Sequence, residues 1–116
     1  MNVINPATEE VITNLKEDSK ESIEHKFNLL KEGQKSWNLL SLKDRIKILQ
    51  RFAGLLKENL EPGSRILTSE VGKPLQQSRN EINGACNRIK WLTENAEKYL
   101  ADDYMTLDQG MTEKIV

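Results

Sequence analysis

Between Ile23 and Trp37 the chain carries Ile23, Phe27, Leu30, Gln34 and Trp37 at steps of four, three, four and three. That spacing lines one face of an α-helix, apolar except at Gln34. Asp18 or Ser19 can cap its start, with Glu21 three residues after Asp18 to complete a capping box. Gly33 costs about 1 kcal/mol relative to alanine and softens the last turn. A second stripe, Ile46, Leu49, Phe52, Ala53, Leu56 and Leu60, follows Ser41 as cap and Asp44, whose charge suits the helix dipole. Arg45, Lys47, Gln50, Arg51, Lys57 and Glu58 are expected on the opposite side. Glu61-Pro62-Gly63-Ser64 interrupts the pattern before a short helix through Val71, with Pro62 in its first turn and Ile66, Leu67 and Val71 as its buried side. Gly72 and Pro74 form a stop and start signal. The last stripe runs Leu75, Ser78, Ile82, Ala85, Ile89, Leu92, Ala96 and Tyr99. A helix from Pro74 to near Leu100 would be about 40 Å long, more than a globule of 116 residues needs. It suits a larger body.

At the N-terminus, Val3-Ile4 and Val11-Ile12-Thr13-Asn14-Leu15 flank Asn5-Pro6, a turn-initiating pair, and predict a β-hairpin. Two strands alone are marginal in water, so this hairpin should lie against something else. Beyond Ala101-Asp102-Asp103, a turn at Asp108-Gln109-Gly110 leads into Met111–Val116, which reads as a strand in need of a partner. The chain is therefore mainly α: a hairpin, four helices and a strand start.

Seventeen basic residues stand against eighteen acidic ones, a net charge of −1, so no basic field draws in nucleic acid. With 37% hydrophobic and 30% charged residues the core is expected to be thin. No apolar run approaches the roughly 18 residues of a membrane span. Acids on the polar face of the second helix also argue against a membrane surface. The start has neither the basic nor the apolar part of a signal peptide, which points to a reducing compartment, the cytoplasm. A lone cysteine, Cys86, excludes an internal disulfide and a multi-cysteine zinc site.

Little of this carries chemistry. Gly72-Lys73 suggests a phosphate loop, but that motif needs glycine at 67 and Ser/Thr at 74, where the chain has Leu67 and Pro74. No Gly-x-Gly-x-x-Gly occurs. Cys86 has no activating base and no helix N-terminus nearby, so it reads as a packed thiol. His25 falls off its helix's stripe and reads as a surface residue. Glu9-Glu10 and Asp102-Asp103 are expected to be solvated, and no metal-ligand cluster is visible.

Glu70-Val71-Gly72-Lys73-Pro74-Leu75 resembles the Glu-x-Gly-Lys-Pro segment of the NAD(P)-dependent aldehyde dehydrogenases. Asn5, Pro6, Ala7, Thr8, Glu10 and Ile12 match that family's opening, and the helix ending at Trp37, Asp44-Arg45, Glu81-Ile82 and Trp91 to Tyr99 follow in order. The resemblance is to the N-terminal part of a much longer enzyme. It implies that residues 1–104 are the helical part of a Rossmann-type NAD(P)-binding domain, and that 105–116 open the β-arm bridging subunits. It also implies aldehyde oxidation by a cysteine, a glutamate and an asparagine beyond Val116, so no catalytic residue carries over. The whole enzyme would bind NAD or NADP; this chain alone would bind neither and would be inactive. By the same analogy the last helix walls the substrate tunnel, with Gly84, Asn87 and Trp91 on the tunnel side. The expected partner is the rest of the dehydrogenase, or a second copy. The alternative is a small helical binding or oligomerisation protein, able to dock on a full-length dehydrogenase through its terminal strand.

Overall fold

The computed structural model describes residues 1–106 and 112–115. Strands β1 (Asn2–Ile4) and β2 (Val11–Asn14) form the expected antiparallel hairpin. Four helices follow: α1 (Lys20–Leu39), α2 (Leu42–Glu58), α3 (Leu60–Val71) and α4 (Leu75–Tyr99). Strand β3 (Asp103–Thr106) then pairs antiparallel with β4 (Thr112–Ile115). The terminal strand thus has its partner within the chain. The turn expected at Asp108-Gln109-Gly110 lies outside the described residues, as do Met111 and Val116.

Local chemistry sets the helix ends. Ser19, rather than Asp18, caps α1 by accepting from the Ser22 N–H, while Asp18 accepts from Lys26 and from the Ser22 hydroxyl. Ser41 caps α2 through the Asp44 N–H, and its hydroxyl donates to the Asp44 carboxylate at 2.7 Å. The break before α3 is the single residue Asn59, which ends α2 and starts the next helix. Glu61-Pro62-Gly63-Ser64 is therefore helical, and Leu60 belongs to α3. Pro62 is tolerated because N–H groups in a first turn have no acceptor within the helix.

Helix α4 is the axis of the packed part, with α2 and α3 both against it. Its buried residues are Ser78, Cys86 and Thr93, and α3 contributes Ser64. The Thr68 and Ser78 hydroxyls bond each other across the α3–α4 joint at 2.7 Å. A Cβ at Gly63 would come within 3.2 Å of Ile82 Cδ1, so the helices approach where side chains are small. Ile66 and Val71, expected on α3's buried side, are exposed; Leu67 is half-buried. On α4, Leu92 and Tyr99 are exposed as well.

Helix α1 differs. It is not packed along α4 as α2 and α3 are, and Phe27 and Leu30 are 58% and 72% exposed. The radius of gyration is 21.0 Å, against about 13 Å for a compact globule of this length.

Candidate functional site

The stretch between α3 and α4 is decided by close packing. Gly72 has φ 71°, the left-handed conformation that ends α3. A Cβ there would lie 2.7 Å from Pro6 Cγ, so the N-terminal hairpin rests on this turn. Lys73, next in line, pairs with Glu81 nearly two turns into α4. Arg79 grips Glu61 with two hydrogen bonds, Nε to Oε1 at 2.6 Å and Nη2 to Oε2 at 2.9 Å, tying α4 to the start of α3. That guanidinium holds the Glu61 carboxyl below its usual range, and the carboxylate in turn holds Arg79 above its own.

Cys86 is a packed thiol, 2% exposed, with its Sγ donating to the Ala53 carbonyl of α2 at 3.7 Å. Gly84, Asn87 and Trp91 lie at helical spacing on one face of α4, about 200° around the axis from Cys86 in the case of Gly84. That face points away from α3 and the buried line. Trp91 is 54% exposed and stacks on Tyr99, with ring centroids 6.0 Å apart and planes 28° apart.

Two open grooves run along the α2–α4 seam and meet at Leu92. The larger, about 990 Å³, is lined by Phe52, Leu56, Asn80, Gly84 and Arg88 among others. A Cβ at Gly84 would touch nothing within 4 Å, so this glycine leaves its side of the groove open. The smaller, about 490 Å³, lies between Trp37, Arg45 and Ile46 on one side and Trp91 and Tyr99 on the other. Gly84 and Trp91 therefore line different grooves, and Asn87 lines neither.

Arg45 is the residue that sequence reasoning misplaced. It was expected on the polar side of α2, yet it is half-buried in the smaller groove. The signal was present: Leu49, Phe52 and Leu56 follow it at four, seven and eleven residues, the spacing of one helical face. Its Nε is buried and has no hydrogen-bond partner.

The profile of the aldehyde dehydrogenase family matches residues 1–116. The chain belongs to the aldehyde dehydrogenase family. It is 30% identical over 112 residues to 3-sulfolactaldehyde dehydrogenase of Pseudomonas putida, covering 97% of this chain and 22% of that enzyme. Glutarate-semialdehyde dehydrogenase of the same species is 32% identical over 100 residues, which is 86% of this chain and 21% of that enzyme. Among solved structures, glyceraldehyde-3-phosphate dehydrogenase GapN of Methanocaldococcus jannaschii, complexed with NADP, superposes with a TM-score of 0.86 at 27% identity, over 93% of this chain and 24% of that one. The structure of Gox0499 shares the fold with a TM-score of 0.92 at 24% identity, over 99% of this chain and 25% of that one. The chain thus spans between a fifth and a quarter of the length of these relatives.

A dinucleotide cofactor needs a glycine-rich strand-to-helix turn with free N–H groups at the helix start. The described strands form two antiparallel pairs. The turn at Gly72 joins two helices rather than a strand and a helix, and Pro6 packs against it. The described residues do not fit a dinucleotide. Among them no cluster of His, Cys, Asp or Glu could hold a metal ion, and no helix is long and apolar enough to cross a membrane.

Proposed function

We propose that this chain acts as the N-terminal helical part of an NAD(P)-dependent aldehyde dehydrogenase that oxidises an aldehyde to a carboxylic acid. The cysteine nucleophile and the cofactor site are supplied from outside it. Residues 1–104 are the helical part of the NAD(P)-binding domain, and 105–116 open the β-arm that bridges subunits. The single observation behind this reading is the bare apolar stripe of α1, which a family relationship over residues 1–116 explains as a face awaiting the rest of the enzyme. Assembly into an oligomer and a cytoplasmic setting belong to the same reading.

Gly84, Asn87 and Trp91 form the tunnel side of α4. Gly84 and Trp91 border open grooves beside α2, and Asn87 is exposed, so another domain has access to all three. Relatives named for glutarate semialdehyde and 3-sulfolactaldehyde favour an aldehyde with an acidic tail as substrate.

The first test mixes the chain with NAD⁺ or NADP⁺ and glutarate semialdehyde and follows reduced nicotinamide by absorbance. No turnover is expected from the chain alone, and steady turnover would overturn the assignment. The second supplies the missing part of a relative by co-expression. Activity should appear, and Gly84→Phe should then lower kcat/KM for the aldehyde by narrowing the tunnel. An unchanged kcat/KM would remove Gly84 from the tunnel wall.

A further inference from the structure

The groove between α2 and α4 combines three features that its place in the fold does not explain. Its volume, about 490 Å³, falls in the range of roughly 300–1,000 Å³ typical of small-molecule sites. One wall carries the stacked pair Trp91 and Tyr99, and facing it are Trp37 and the aliphatic side chains of α2. Within this apolar surround sits the Arg45 guanidinium, with its Nε buried and unbonded and no ion pair among the described residues.

Neighbouring acids do not neutralise it. Asp44 is engaged by the Ser41 hydroxyl and by Lys47 at 2.9 Å. On α4, Glu94 faces Lys90 at 3.8 Å. A buried donor without an acceptor is costly, and the planar fork of arginine matches the oxygens of a carboxylate or sulfonate.

We propose that this groove is a binding site for a small organic acid with a flat apolar body. The rings of Trp91 and Tyr99 stack on the body, and Arg45 takes the acid group through its unbonded N–H. This site shares Trp91 with the proposed tunnel side but not Gly84 or Asn87, and it does not depend on the dehydrogenase reading.

Two fluorescent probes with the same ring system test the idea on the intact chain. Anilinonaphthalene sulfonate carries the acid, and N-phenylnaphthylamine lacks it. Arg45→Met should weaken the sulfonate probe about tenfold, the effect of losing one charge-assisted hydrogen bond, and leave the neutral probe unchanged. Trp91→Ala should weaken both probes, and Arg51→Met, on the exposed side of α2, should affect neither. Arg45→Lys should recover part of the loss, since the charge returns without the fork. Equal binding of the sulfonate probe by the protein and by its Arg45→Met variant would overturn the proposal. So would equal losses of both probes in that variant, which would reduce Arg45 to a shaping role.

Discussion

Helix α1 and the joint between α3 and α4 make opposite use of their residues. The stripe of α1 is built from large apolar side chains, and every residue of that helix stays out of the core. The joint is built from Gly63, Ser64, Thr68 and Ser78, and it holds two of the most deeply buried of the described residues, Ser64 and Ser78. Small side chains let two helix backbones come close, and close backbones exclude water even where the side chains are polar. Large apolar side chains need a surface of matching shape, and of those along α1 only Trp37 is even half-buried against one. Amphipathic spacing reports which side of a helix would be buried. It does not report whether the same chain supplies the cover.

The contrast can be broken most sharply at Ser78. Ser78→Leu forces a branched side chain into a fully packed joint and should cost about 3 kcal/mol through overpacking. Phe27→Ala, which removes a whole ring from α1, should change stability by only about 0.5 kcal/mol or less, as for other exposed sites. Urea unfolding followed by helical circular dichroism measures both. Comparable losses would mean that α1 packs in solution as firmly as the joint does.

Gly72→Ala should fall between these limits. It places a Cβ against Pro6 and strains a residue at φ 71°, for an expected loss of about 2 kcal/mol. The same urea midpoint reads it. A neutral result would detach the hairpin from the α3–α4 turn.

The smallest effect concerns the Arg79–Glu61 grip. The Glu61 carboxyl titrates below its ordinary 4.5 when folded, so its contribution is complete above that value and is lost as the pH falls through the lowered one. Glu61→Gln should therefore lower the melting temperature slightly at neutral pH, with the difference from the parent vanishing in acid. A difference that stayed constant down to the most acid samples would show that the grip acts by shape rather than charge.

Much of the architecture was legible because local rules govern it. Ser41 and Gly72 mark helix ends by hydrogen-bonding and backbone conformation that depend on a few neighbours. The packed thiol of Cys86 followed from the absence of an activating base. Ser78 holds the joint from its expected place on the α4 stripe, while its partner Ser64 is polar and the apolar Ile66 and Val71 of the same helix are exposed. Arg45 was placed with the polar residues because it is charged, although its spacing puts it with Leu49, Phe52 and Leu56. For Arg45, position was a better guide than residue type; Val71 shares a face with Ser64 and is exposed all the same.

The sequence by itself determined the order of elements, the Ser41 cap, the stop at Gly72 and the family, since each depends on residues close in the chain or on their order along it. Only the tertiary structure decided which faces are closed. Burial depends on how near two backbones can come, and that distance was set by Gly63, Ser64 and Ser78 rather than by the larger apolar residues. It also decided that the Gly-Lys-Pro turn seats a hairpin, because Pro6 packs where a Cβ on residue 72 would stand.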